Sequence, residues 1–212
     1  MSSMSLNSYV TTKKGLKLYV RVAEEKDCAT LDTVINWAYR GKEGTPDPWT
    51  TEKGLVAGKR IDEAGLLQEL KRDPETARVI LVELIKPVVQ VEDGAQEETT
   101  KEERTIVGSI KIDRESATST DVLIGMFSVD PSLQSNGIGQ ILFKIAESFA
   151  LEHWKCTRGV LHVLSVRQEL LNWYYSMNYT PSGELIPFLH EKHTDSPLID
   201  DLCFSTLYKS LI

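Results

Sequence analysis

The segment Val129-Asp-Pro-Ser-Leu-Gln-Ser-Asn-Gly-Ile-Gly139 lies between an apolar run typical of a strand and a run with helical spacing. The run before it, Val122 to Val129, is the most apolar of the chain, and Asp130-Pro131 ends it. A connection of this kind leaves unpaired backbone N–H groups at the positive end of the helix dipole, where glycines let an anion come close. The segment therefore predicts a phosphate-binding loop, although a tight turn that needs small residues is an alternative.

Spacing excludes two nucleotide-binding classes for this loop. A Walker-type loop has Lys and then Ser or Thr after its last glycine, whereas Gly139 is followed by Gln140 and Ile141. A dinucleotide fingerprint needs a third Gly or Ala, and Leu142 occupies that position.

The rest of the chain alternates predicted strands and helices. Period-two alternation or apolar runs predict strands over 16–22, 79–85, 106–112, 122–129, 160–164 and 203–208. Helical spacing predicts a helix capped by Asp27 or Thr30 and ended at Gly41, and others over 62–72, 137–152 and 168–177. Because the two later helices each follow a strand, as crossover connections do, we expect a mixed α/β sheet with helices on both faces.

The length of 212 residues and the hydrophobic content of 41% suit one domain with a proper core, so we expect a single domain over 1–212. A strongly acidic stretch without aromatic residues lies between two predicted strands, within residues 90–104. Such a composition favours a mobile hairpin loop over packed structure.

Composition argues against membrane and nucleic-acid partners. The chain has no apolar run of about eighteen residues, and Met1 to Tyr9 is short, polar and uncharged, so we expect neither anchor nor signal but a cytoplasmic protein. The net charge of -7 and the pI near 5.2 oppose a phosphate-tracking role, so nucleic acid is not an expected partner.

Cysteines and histidines show no pattern of a disulfide framework or metal site. Cys28, Cys156 and Cys203 lie far apart without a CxxC pair, so we expect free thiols and no zinc. His190 and His193 could share a metal, but no cysteine or second carboxylate pair flanks them at ligand spacing. We therefore expect no metal.

The loop is similar to the acetyl-coenzyme A (acetyl-CoA) loop of the GCN5-related N-acetyltransferase (GNAT) superfamily. That pattern is Gln or Arg, two variable residues, Gly, one variable residue, then Gly or Ala, and Gln134-Ser-Asn-Gly137-Ile-Gly139 matches every fixed position. Downstream, Tyr174-Tyr-Ser-Met-Asn178-Tyr179 resembles a second family motif. Asn178 replaces the usual glycine there, and asparagine tolerates the left-handed conformation of a helix stop. Arg167 stands where the family often has Asn.

The resemblance implies the GNAT-like acyl-CoA N-acyltransferase fold, in which helices flank both faces of a central, mixed, mostly antiparallel sheet. It implies transfer of an acetyl group from acetyl-CoA to an amine of a small molecule or a protein, by direct attack in a ternary complex. The acceptor, the use of longer acyl groups and the oligomeric state, monomer or homodimer, stay open. A catalytically silent acetyl-CoA binding module is the alternative function.

The resemblance also implies roles for individual residues. The backbone N–H of Val129 would polarise the thioester carbonyl, and Tyr174 would protonate the leaving thiolate, because a phenol with a pKa of about 10 stays protonated at neutral pH. Packing of Tyr174 on a helix face is the open alternative. The residues expected to bind the co-substrate are Phe127, Val129, Gln134, Ser135, Asn136, Gly137, Ile138, Gly139, Gln140 and Arg167.

No general base is evident, because Leu123 occupies the position where several relatives carry a glutamate. Four residues could accept the proton of the amine through a chain of water molecules: Glu63, Asp121, Glu184 and His190. For each of them, an ordinary surface position is the alternative. The acceptor pocket is assigned to Trp49, Arg60 and Glu63, with Tyr39 and Trp37 as further candidates. Of these, Trp37 falls at helical spacing from Val34, which favours a core position.

Overall fold

The computed structural model of the chain describes residues 5–45, 48–90, 99–188 and 196–212. Its strands are β1 Ser8–Thr11, β2 Lys17–Val22, β3 Val56–Ala57, β4 Ala77–Gln90, β5 Thr99–Asp113, β6 Asp121–Val129, β7 Arg158–Leu164, β8 Thr180–Pro187, β9 Ser196–Pro197 and β10 Cys203–Ser210. Its α-helices are α1 Cys28–Arg40, α2 Glu63–Leu70, α3 Ile138–Glu152 and α4 Gln168–Ser176.

Eight strands form one sheet in the order β1-β2-β4-β5-β6-β7-β10-β8. Neighbouring strands are antiparallel, except that β6 and β7 run parallel. Strands β3 and β9 pair separately as a small antiparallel ribbon. The predicted mixed, mostly antiparallel sheet is confirmed.

Residues of β4 point alternately to the two faces of the sheet, and each set joins a different core. Ile80 and Val82 belong to the cluster that contains the buried residues of α3 and α4. Val79 and Leu81 belong to the cluster that contains those of α1 and α2. Because a strand has a side-chain period of two, this division places helices on both faces, as the sequence predicts.

The boundaries of α1 and α2 lie close to the predicted ones. Asp27 precedes α1, and Gly41, with φ 93°, follows its last residue. Asp62 caps α2 by accepting a 2.7 Å hydrogen bond from the backbone N–H of Gly65. Local sequence signals are therefore sufficient to predict the boundaries of these two helices.

The predicted acidic loop over 90–104 is wrong for residues 99–104, which form the start of β5. The β4–β5 pairing continues to Gln90 and Thr99, far beyond the predicted strand ends. Glu102 shows why acidic residues are tolerated here, because it accepts hydrogen bonds from the Lys17 ammonium at 2.9 Å and the Tyr9 hydroxyl at 2.8 Å. Residues 91–98 lie outside the described part of the chain.

The cysteines are free thiols, as predicted, with Cys28 and Cys156 buried. No helix within the described ranges is both long enough and apolar enough to cross a bilayer. His190 and His193 fall outside the described residues, and within those residues no three His, Cys, Asp or Glu side chains group as metal ligands would.

Candidate active site

A wedge opens between the two parallel strands at the centre of the sheet. Strands β6 and β7 pair over Asp121–Leu123 and Arg158–Val160, and no pairing follows toward their carboxyl ends. A cavity of about 470 Å³ lies beside the separated end of β6. It is lined by the end of β6, the loop over 133–137, the start of α3 and one side of α4. Strand separation thus places the predicted loop at the mouth of a cavity.

The backbone N–H of Val129 points into this wedge. Its neighbour Asp130 donates its N–H to the Val107 carbonyl of β5 at 2.8 Å. Because successive residues of a strand direct their N–H groups to opposite sides, the Val129 N–H faces β7, from which β6 has separated. Val129 lines the cavity, and its role as the oxyanion donor stays a prediction.

The loop before α3 has the backbone geometry of an anion site. Ser135, with φ 61°, and Gly137, with φ 84°, are left-handed, and they alternate with residues of ordinary negative φ. Turns that alternate in this way form a concavity of N–H groups, and the first turn of the helix adds N–H groups without carbonyl partners. The loop and the residues Ile138, Gly139 and Gln140 all line the cavity.

Two polar side chains of the loop, those of Gln134 and Asn136, are hydrogen-bonded within the protein. Gln134 accepts a 2.9 Å hydrogen bond through Oε1 from the Trp49 N–H, and its Nε2 donates to the Val129 carbonyl at 3.5 Å. Asn136 donates through Nδ2 to the carbonyls of Leu133 at 3.0 Å and Gln134 at 3.1 Å. These side chains therefore shape the loop and leave its backbone N–H groups to a ligand.

Close packing explains why position 139 is a glycine, and the sequence motif alone does not show this. A Cβ at this position would lie 2.8 Å from Cζ of Phe127 and 3.5 Å from Cη2 of Trp173. The two rings stack at 5.6 Å with an angle of 7° between their planes. The glycine lets this aromatic pair form one wall of the cavity.

Tyr174 lies on the cavity wall, with a side chain that is 5% exposed. Burial raises the pKa of its phenol well above the usual value, although the nearby Arg167 opposes the shift. The ring also packs against Phe143 at 5.4 Å and Tyr179 at 6.0 Å. Tyr174 is therefore both a packing residue and a phenol that stays protonated at neutral pH, as a proton donor must.

A buried ion-pair chain adjoins the cavity, and its central member was not predicted. Arg167 donates to Glu52 Oε1 at 3.1 Å and to the Thr50 hydroxyl at 2.8 Å. Glu52 Oε2 accepts a further 2.6 Å bond from Arg40. No local pattern marks Glu52, because its partner Arg167 lies 115 residues away.

Three lysines line the cavity and were also missed from the sequence. Lys13 and Lys14 lie in the turn between β1 and β2, and Lys144 lies on α3. Within the described residues, none of the three forms an ion pair. They are available to an anionic ligand.

Two of the three predicted acceptor-pocket residues lie elsewhere. Trp49 and the further candidate Tyr39 line the cavity, but Arg60 and Glu63 do not. The Arg60 guanidinium lies 5.3 Å from the Tyr39 ring, and Glu63 begins α2, which packs against α1 on one face of the sheet. Trp37 does not line the cavity either.

The structure brings none of the described base candidates to the cavity. Asp121 pairs with Arg158 at the opposite end of β6, and Glu184 lies on the exposed strand β8. Leu123 also lies near that opposite end, and His190 lies outside the described residues. The described lining residues include no Asp, Glu or His.

Comparison with known proteins gives one family match and many structural ones. Residues 90–179 match the Acetyltransferase (GNAT) family, whereas no curated protein matches the sequence. A spermidine N-acetyltransferase from Vibrio cholerae, solved with CoA and spermine, is 13% identical with a TM-score of 0.60, covering 92% of this chain and 95% of that one. The yncA putative acetyltransferase from Salmonella typhimurium, solved with acetyl-CoA, is 15% identical with a TM-score of 0.58, covering 92% and 94%.

The family match spans the segment that forms the wedge, from β5 through the loop and α3 to the end of α4. The structural similarity covers 92% of this chain in both comparisons. The match over residues 90–179 agrees with the resemblance stated from the loop motif, and the structural matches show the same fold as these acetyltransferases.

Proposed function

We propose that this domain transfers the acetyl group of acetyl-CoA to an amine by direct attack within a ternary complex. The observation that carries the proposal is the wedge beside Val129, whose mouth presents the left-handed loop, the start of α3 and the three lysines. Acetyl-CoA combines a diphosphate, a further phosphate and a thioester on a long arm. The N–H groups and lysines at the mouth match the negative charge of the phosphates, and the wedge can hold the long arm that carries the thioester.

The phosphates would bind the N–H groups of 135–139, with Lys13, Lys14 and Lys144 adding positive charge. The thioester carbonyl would accept a hydrogen bond from the Val129 N–H, which is already aimed into the wedge. These contacts come from backbone held by the sheet and by α3, so the donors are oriented before the ligand binds.

In the chemical step, the amine nitrogen attacks the thioester carbon, and the carbon–sulfur bond breaks with its electron pair moving to sulfur. Tyr174 donates its phenolic proton to the sulfur, so that CoA leaves as a thiol. The proton lost by the amine passes to water and from there restores the Tyr174 phenol. Placement and proton donation therefore supply the catalysis in this scheme.

The absence of an acid or histidine among the described lining residues keeps the silent acetyl-CoA binding module as a second candidate. Two measurements separate the functions. Calorimetry with acetyl-CoA tests the binding site, and thiol release with an amine panel tests transfer. Binding with saturable, amine-dependent thiol release supports the enzyme, and binding without release supports the silent module. No binding by the folded protein overturns both.

A further inference from the structure

The guanidinium of Arg167 has one buried N–H without a partner. Arg167 is 7% exposed and lines the cavity, and no described residue accepts a hydrogen bond from its Nε. Its other two nitrogens are held by Glu52 and Thr50. A buried donor without a partner is costly, and native structures rarely contain one unless a ligand or water completes it. The free edge of Arg167 is therefore a candidate ligand contact.

No described carboxylate faces Arg167 from the cavity wall. Its one carboxylate partner among the described residues is Glu52, whose other oxygen pairs with Arg40. Thr50 is uncharged, and its hydroxyl donates onward to Glu169 at 2.7 Å. Because the described lining residues include no Asp or Glu, an anionic group on a ligand would meet the positive charge of Arg167 without an opposing carboxylate.

The phosphates of the acetyl donor do not account for this charge. In the proposed function they bind at the mouth, where the loop over 134–139 and the lysines lie. Arg167 instead directly precedes α4, and Tyr174 lies about two helical turns further along it, so both residues line the cavity from the same side of α4. In the proposed function, Tyr174 marks the reacting end of the cavity.

We propose that Arg167 binds a carboxylate of the acceptor, so that the acceptor is an amine that also carries a carboxylate, as amino acids do. This inference rests on the proposed function for the location of the reacting end. Guanidinium and carboxylate form paired, charge-assisted hydrogen bonds, and the free Nε of Arg167 supplies a donor for such a pair. The same geometry disfavours acceptors that carry several positive charges, because the described lining offers them only cations and no carboxylate.

Aromatic rings line the cavity beside Arg167 and guide the choice of probe. Trp49, Trp173, Phe127 and Tyr39 contribute apolar surface to it. Phenylalanine and its derivatives therefore combine the carboxylate under test with a side chain that suits the wall. Phenylalaninamide has the same frame without the carboxylate charge, and spermidine serves as a polycationic acceptor.

Binding of product analogues tests the inference without turnover. With CoA at saturation, N-acetylphenylalanine should bind the wild-type protein at least about tenfold more tightly than N-acetylphenylalaninamide. A hydrogen bond to a charged group is strong enough to change a dissociation constant by at least about tenfold. Arg167→Gln should reduce the ratio of the two dissociation constants to near one. Lys144→Gln, a change at the mouth, should keep the ratio while weakening CoA. A ratio near one in the wild-type protein, or one unchanged in Arg167→Gln, overturns the inference.

Turnover then separates this inference from the proposed function. Phenylalanine should be acetylated with a higher kcat/KM than phenylalaninamide or spermidine, and Arg167→Gln should remove the preference by raising KM for phenylalanine. A preference for phenylalaninamide or spermidine over phenylalanine overturns the inference but leaves the proposed acetyltransferase activity standing. Absence of thiol release with every amine, while the binding ratio persists, overturns the proposed function and leaves Arg167 as a carboxylate-binding residue without an acceptor.

A conservative variant and a charged acyl donor complete the test. Arg167→Lys keeps the positive charge but not the planar guanidinium, so it should retain part of the ratio of the two dissociation constants. It replaces Arg167→Gln as the test variant if Arg167→Gln fails to fold. Succinyl-CoA carries the carboxylate on the donor instead of the acceptor. A preference for succinyl-CoA over acetyl-CoA that depends on Arg167 assigns the charge to the acyl group and overturns the acceptor assignment.

Discussion

The side-chain oxygen of Gln134 accepts a 2.9 Å hydrogen bond from the backbone N–H of Trp49, 85 residues earlier in the chain. This bond ties the loop at the cavity mouth to the connection between α1 and α2. Trp49 is 50% exposed, lines the cavity and also packs edge-on against the Trp173 ring, with 6.4 Å between the ring centroids. Gln134 therefore links the site proposed for the phosphates to the side proposed for the acceptor.

Replacement of Gln134 by alanine should weaken acceptor binding more than acetyl-CoA binding. The loop N–H groups remain, but Trp49 loses a hydrogen bond whose net value is about 1 kcal/mol, so the acceptor KM should rise by about fivefold. Steady-state kinetics for the acceptor and calorimetry for acetyl-CoA measure the two effects. Gln168→Ala is the matched control, because the Gln168 amide bonds only to the Ser165 carbonyl among the described residues. Equal loss of both ligands would argue against the link.

Tyr174→Phe should lower turnover by about a hundredfold, the usual contribution of a general acid, and leave the acetyl-CoA dissociation constant within about twofold. Because burial raises the pKa of Tyr174, the wild-type rate should show no loss from phenol ionisation between about pH 7 and pH 9. Single-turnover rates and calorimetry check this. The neighbouring Tyr175→Phe is the control, since Tyr175 is 38% exposed and outside the lining. An unchanged rate in Tyr174→Phe removes Tyr174 from the acid role.

Gly139→Ala should destabilise the fold by about 1–3 kcal/mol, because the new methyl group meets Phe127 at 2.8 Å and overpacks the wall. Denaturant midpoints measure the cost. In a Phe127→Leu background the same change should cost much less, since the obstructing ring is gone. Gly125→Ala serves as control, because nothing lies within 4 Å of its Cβ position. Equal costs in both backgrounds would exclude the ring as the cause.

Lys144→Gln should weaken CoA binding up to about fivefold, as expected for an exposed charge pair, and should make binding less sensitive to salt. Titrations at low and high ionic strength check both effects. Lys155→Gln is the control beyond the other end of α3, where Lys155 donates to the Glu152 carbonyl. A salt dependence identical to wild type would place the phosphates away from Lys144.

Stability should fall as the pH rises above about 10, partly because of Tyr179. Burial, followed by the charge of Glu147, raises the pKa of the Tyr179 phenol in the folded protein. Above about pH 10 the unfolded chain loses this proton while the folded chain keeps it, so the free energy of unfolding decreases with pH. Denaturant midpoints at about pH 8 and about pH 11 should differ less in Tyr179→Phe than in wild type. An identical pH dependence in the variant contradicts the assignment.

Prediction from sequence succeeded where the controlling signal is local. The apolar runs at Val79 and Val122, the cap at Asp62 and the loop over 134–139 each depend on neighbours in the chain. The acidic stretch failed because composition favours a loop, while Glu102 is bound by Lys17 and Tyr9 from distant strands. Composition cannot show a partner of that kind.

The amino-acid sequence by itself determined the strand–loop–helix segment around Gln134, the family resemblance and the helices on both faces, since apolar spacing and capping act over a few residues. Only the tertiary structure decided that β6 and β7 separate, and that the resulting wedge gathers Lys13, Lys144 and Arg167 while leaving out Glu63. Glu52 joins Arg167 for the same reason. Such convergence follows from sheet order and strand separation, which depend on the packing of the whole core rather than on any local pattern.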